Sequence, residues 1–211
     1  MNPTSLAAFA FASTVLAVTP GPGVVYIVTR TLAQGRRAGL ASVAGVALGN
    51  LLNAAAASLG LAALLAVSRW GFTAVQVAGA LYLFWLGVQP LRAPLPDDAD
   101  RSPMPAVAPW ALCRDGALVA LLNPKTALFF AAFLPQFMSA GQPALPQAMG
   151  FGALFVAIAA CSDALYVAAA ATLAPRLARW RRARSGLRVA TAVVFVSLGL
   201  ASLLLGPRQP H

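Results

Sequence analysis

Charge is scarce in this chain. Only 9% of its 211 residues are charged, where a soluble domain carries about a quarter. There is one lysine, Lys125, one histidine, His211 at the end, and two cysteines. With no internal histidine, neither a Ser/His/Asp nor a Cys/His nucleophilic set can be assembled, so no enzyme is expected. Soft metals want thiolate or imidazole and hard ones several carboxylates, so no metal site or cofactor is expected either. Three of the five acidic residues, Asp97, Asp98 and Asp100, fall in a proline-broken stretch without the defined geometry a hard cation needs. Cys113 and Cys161 stand far apart and form no CxxC, which excludes a disulfide framework; they read as small core residues.

Long apolar runs are abundant. The chain is 60% hydrophobic, and stretches of about 18 to 25 apolar residues can cross a bilayer core. Six fit, at about residues 6–28, 40–67, 72–91, 116–137, 148–173 and 187–205. The predicted fold class is therefore an all-α membrane protein of six transmembrane helices. The amino-terminal segment lacks the basic region of a cleaved signal and reads as retained.

The net charge of +10 does not indicate nucleic-acid binding, because the arginines sit at span ends and not in clusters on a polar surface. Arg30, Arg36, Arg37, Arg92, Arg101, Arg114 and the six arginines between 176 and 188 share one side, against Arg69 and Arg208 on the other. By the positive-inside rule this puts the first, third and fifth connections in the cytoplasm and both termini in the periplasm of a bacterial inner membrane. The run "RWRRARSGLR" reads as a cytoplasmic anchor in the lipid surface.

One linker divides the chain. A proline-rich stretch at about 93–115 separates a first group of three spans, about 1–92, from a second, about 116–211, within a single transport domain. An odd number of spans per half makes the second half enter from the opposite face, so any repeat is inverted. Landmarks correspond: "TPGPG" at 19–23 with "NPK" at 123–125, and Leu86-Gly87 with Leu198-Gly199. Broken helices at matching positions of inverted halves point to a transporter binding site.

Proline and glycine at this density cannot continue a helix, so spans one and four are predicted to break there. Each break starts a half-helix at a proline, Pro22 or Pro124, the latter with Asn123 as cap. Free N–H groups and the positive dipole end at both half-helices would make an anion site from backbone. Lys125 and Asp163 are the charged residues well inside spans, each costly at about 2.5 to 3.5 kcal/mol. One reading gives them tasks; the other makes them a buried pair that sets helix register. Asn50 and Asn53 share a face of span two, and Ser162 and Tyr166 accompany Asp163. Gly45 and Gly49 form a helix-packing face. Lysine suits a site that is sometimes empty, because its charge responds to burial while that of arginine persists.

The stretches "TPGPG", "QGRRAGLASVAGVALGN", "AGALYLFWLGVQPLR", "NPKTALFFAAFLPQF" and "SDALY" resemble, in order and over essentially the whole chain, the LysE/RhtB family of bacterial amino-acid exporters. One departure is Gly23, where the family often has Asn or Asp. The resemblance implies export of an amino acid or close derivative in exchange for protons. Its carboxylate would meet Thr19, Pro20, Gly21, Pro22, Gly23, Asn123, Pro124 and Lys125. Its ammonium would meet Asn50, Asn53, Tyr166 and Asp163, with Asp163 also the proton-coupling group. The expected partners are that solute, protons and the bilayer, with the oligomeric state open, a homodimer included. The alternatives are a divalent-cation exporter, as in distant relatives, and a passive small-solute channel.

Overall fold

The computed structural model describes residues 3–59, 69–92, 107–139, 141–178 and 181–204. Asp97, Asp98, Asp100, Arg101, Arg179, Arg208, His211 and most of the linker lie outside the described residues, as does the end of the second predicted span. Eight helices are described and no strand: α1 Pro3–Val18, α2 Pro22–Gln34, α3 Arg36–Ser58, α4 Arg69–Arg92, α5 Pro109–Leu121, α6 Pro124–Phe137, α7 Ala144–Ala178 and α8 Arg181–Leu204.

Local sequence explains where these helices start and stop. Proline occupies the first turn of α2, α5 and α6, where its missing N–H has no intrahelical partner to lose. Gly35 joins α2 to α3 at a φ of 85°, a left-handed conformation that a side chain would oppose. Pro20 ends α1, and the chain turns by 50° into α2; α5 and α6 meet at 56°. The fourth predicted span begins at Pro109, well before the boundary at 116, because Asp115 enters the helix paired with arginine.

Two helices, Arg36–Ser58 and Ala144–Pro175, are each long and apolar enough to cross a membrane, and each of the two bent pairs is long and apolar enough when its two helices are taken together. The helices α4 and α8 contain shorter apolar stretches, Val77–Gln89 and Val189–Leu200. Large apolar side chains also face outward, among them Phe11, Leu81 and Leu165 at 73%, 61% and 73% exposure. Water would not tolerate so continuous an apolar exterior, whereas lipid tails solvate it. The chain is an all-α, multi-pass membrane protein. Cys161, read from sequence as a core residue, belongs to this exposed surface, and Cys113 is half-buried.

Inside, α3 packs on α5, α7 and α2, while α4 pairs with α8. Gly45 and Gly49 bring α3 onto the α5 backbone, and a Cβ at Gly49 would stand 2.5 Å from the Ala117 carbonyl oxygen. The α4·α8 contact is reciprocal. A Cβ at Gly87 would lie 3.2 Å from the Ala192 oxygen, and one at Gly199 3.1 Å from the Ala80 oxygen, so the two helices run antiparallel.

Two apolar clusters lie on either side of the breaks. One is aromatic, with Phe9, Phe129, Phe130, Phe151 and Phe155. The other holds Tyr26, Val46, Leu83, Val119, Val167 and Phe195. Helix α3 gives Val46 to one cluster and Ala54 to the other, about 12 Å apart along its axis at roughly 1.5 Å per residue. Between them on the same helix are Asn50 and Asn53; between Ala159 and Val167 on α7 are Ser162, Asp163 and Tyr166. Polar groups thus occupy a middle layer at the depth of the breaks.

Candidate functional site at two helix breaks

An α-helix that ends inside a membrane leaves carbonyls without intrahelical donors, and no water replaces them. At the end of α1 each of these carbonyls has a donor. Thr19 turns its own N–H and hydroxyl back onto the Val15 oxygen, at 3.2 and 2.6 Å. Lys125 Nζ donates to the Leu16 and Thr19 oxygens at 3.1 and 2.8 Å. From α7, Ser162 Oγ reaches the Ala17 oxygen at 3.4 Å and Tyr166 Oη the Val18 oxygen at 3.0 Å. The lysine therefore places its positive charge at the negative end of the α1 dipole.

This geometry goes against one of the two readings of Lys125, the buried pair with Asp163. Among the described residues the ion pairs are those of Asp115, with Arg114 at 2.9 Å and Arg30 at 3.8 Å; Lys125 and Asp163 form none. Asp163 is 6% exposed, and its carboxylate has no hydrogen-bond partner among the described residues. Ser162 and Tyr166, one turn apart, face α1, while Asp163 lies on the buried stripe with Ala159 and Val167.

The break between α5 and α6 is closed in a related way. Asn53 Nδ2, from α3, donates to the Ala120 oxygen at 2.9 Å. Asn123 caps α6: its Oδ1 accepts from the Lys125 N–H at 3.1 Å, and its Nδ2 donates to Thr126 Oγ1 at 3.0 Å. The α2 N-terminus differs, because its cap residue, Gly21, brings no side-chain hydrogen bond. With Pro22 in the first position, the free N–H groups of its first turn are those of Gly23 and Val24.

A cavity of about 340 Å³ opens between the two breaks. Pro20, Gly21 and Pro22 line one wall and Asn123, Pro124 and Lys125 another; Gly79, Tyr82 and Leu83 of α4, Val119, Leu122, and Leu198 of α8 complete it. Six of the residues expected from sequence are thus brought together. Thr19, Gly23, Asn50, Asn53, Tyr166 and Asp163 are not in the lining. Thr19, Asn53 and Tyr166 are engaged in the capping just described, Gly23 packs near Val46, and Asn50 is buried with its Oδ1 unpartnered. The lining thus holds residues of the two breaks and none of the four residues expected to meet an ammonium.

Sequence reasoning passed over two features. Asp115 is 5% exposed and ties α5 to α2 through Arg30, whose guanidinium stands 5.3 Å above the Tyr26 ring. Tyr26 Oη in turn donates to the Leu112 oxygen at 2.9 Å. Arginines at Arg30 and Arg114 gave the signal, since a buried acid beside cationic loop ends calls for a partner. The other feature is Tyr82, whose apolar neighbours in "ALYLFW" concealed it.

The LysE type translocator family model matches residues 14–206. The homoserine/homoserine lactone efflux protein of Salmonella typhimurium is 33% identical over 173 residues, 82% of each chain. A leucine efflux protein of Klebsiella pneumoniae is 31% identical over 121 residues, 57% of each chain. A threonine efflux protein of Escherichia coli is 31% identical over 124 residues, 57% of this chain and 60% of its own. No solved structure matches.

Proposed function

Because the chain belongs to the LysE type translocator family, we propose that it is a secondary transporter that carries an amino acid or close derivative out of the cytoplasm in exchange for protons. The observation that carries this reading is the cavity between two helix breaks, whose lining holds the start of α2 and, close against its cap residue Gly21, the Lys125 side chain. A solute carboxylate there meets the positive dipole end of α2 and a cation whose present partners are neutral carbonyls. When the carboxylate arrives, Lys125 can exchange one of those carbonyls for it, which couples occupancy to the end of α1.

In this proposal six spans form two inverted halves, α1 to α4 and α5 to α8, in a bacterial inner membrane with both termini periplasmic. Support comes from cross-capping: the second span of each half closes the break of the other, Asn53 of α3 on α5, and Ser162 and Tyr166 of α7 on α1. The reciprocal approach of Gly87 and Gly199 fits the same two-fold relation. Asp163, a buried acid without a partner one helix face from Tyr166, serves as the proton-coupling group. Asn50 stands in the same polar layer, near the ammonium of a solute that crosses it.

The test is efflux. Cells with and without the protein are fed dipeptides to raise internal amino-acid pools, and the medium is profiled. The protein should raise one or a few amino acids outside, and in vesicles a proton gradient should drive the flux in wild type but not in Asp163→Asn. Flux that neither saturates nor needs a gradient would establish a channel instead. No amino acid in the medium at a normal protein level would refute the proposal.

A further inference from the structure

Apart from the slightly exposed carboxylate of Asp163, three side-chain polar atoms among the described residues are shielded from solvent without a hydrogen-bond partner: Ser13 Oγ, Asn50 Oδ1 and Tyr82 Oη. Of the three, Tyr82 alone belongs to the cavity wall. Its placement is imposed by backbone. Gly79, three residues earlier on the same face of α4, lies against the Leu122 carbonyl, a contact that any Cβ would obstruct. Helix α4 is thereby pressed against the α5–α6 break, and Tyr82 is carried over it. The ring stacks on Trp85, centroids 5.5 Å apart and planes 23° apart. A phenylalanine would satisfy that stack equally well, so packing does not account for the hydroxyl.

A buried hydroxyl without a partner is costly, and native proteins seldom leave one unless a ligand or water completes it. Here the cavity is where a partner can arrive. We propose that the Tyr82 hydroxyl is a specificity determinant: it hydrogen-bonds a polar group on the side chain of the transported amino acid. This inference rests on the amino-acid reading of the cavity. A site that loses its hydrogen bond when the wrong solute binds discriminates against that solute, because the hydroxyl is then left unpaired.

The experiment compares near-isosteric pairs, threonine with valine and asparagine with leucine, in competitive efflux from one preparation of vesicles. The wild type should favour the polar member of each pair. Tyr82→Phe should lower the polar-to-apolar ratio by about 3- to 10-fold, the span of one neutral hydrogen bond. Because the ratio is internal to each preparation, protein level does not enter it. A wild type that moves these amino acids with a ratio unaltered by Tyr82→Phe overturns the assignment of Tyr82 alone. A Tyr82→Phe protein that fails to accumulate would show that the hydroxyl serves folding, and overturns it too. A wild type that moves none of the four overturns this inference, and the amino-acid reading falls with it only if the profiled medium shows no amino acid either.

Discussion

Lys125→Met removes the ammonium while keeping an unbranched apolar side chain of similar length. Two hydrogen bonds from a charged donor disappear, those to the Leu16 and Thr19 oxygens, each worth about 1.5 to 3 kcal/mol. The favourable meeting of a cation with the C-terminal end of α1 goes with them, about 0.3 to 1 kcal/mol. Against these losses, methionine avoids the cost of a lysine at membrane depth, about 2.5 to 3.5 kcal/mol. The balance is a destabilisation of about 2 kcal/mol, which for a chain of this size lowers Tm by roughly 4 to 8 °C. Lys125→Arg keeps donors and charge and should fall by less than about 2 °C. The companion measurement is a cycle with Asp163→Asn. Since the two residues form no ion pair, their coupling should stay within about 0.5 kcal/mol, whereas breaking a buried pair would cost about 3 to 5 kcal/mol. Thermal melts of the detergent-purified wild type, both single variants and the double variant, followed by tryptophan fluorescence, give the answer. A Lys125→Met protein that melts at the wild-type temperature, or one restored by Asp163→Asn, would refute the capping role.

Replacing Pro20 and Pro22 by Ala should favour a continuous first span; membrane insertion is expected to persist while efflux falls at least ~10-fold, and unchanged efflux at equal protein level would reduce the break to a kink. Gly45→Leu inserts a side chain into the α5 backbone at Cys113, and the overpacking, about 1 to 3 kcal/mol or more, should appear as a lower Tm; a wild-type melt would mean the helices can separate freely. Reporter tags at Gly141 and Ser185 should report the periplasm and the cytoplasm respectively, and two tags on one side would remove the inverted arrangement. Asp115→Asn should weaken the α2–α5 junction through Arg30, read as faster proteolysis within residues 22–34; protection equal to wild type would assign the junction to Tyr26 alone.

The membrane setting, the order of apolar segments and the two breaks were legible in the sequence because their causes are local. Hydropathy acts residue by residue, and a proline removes its own N–H wherever it lies. Asn123 as a cap followed from its position immediately before Pro124. Asp115 escaped this reading because hydropathy across "CRDG" ends a span there, and burial becomes affordable only once Arg30 of another helix closes on it. The partner of Lys125 escaped it for a deeper reason. Composition displays charged side chains, so Asp163 was the one counterion to weigh for it, but every residue has a carbonyl and none is marked in the sequence as unpaired. Carbonyl groups become acceptors in need only where a helix ends away from water. The fold alone brings such an end, at Leu16 and Thr19, to a lysine 109 and 106 residues away.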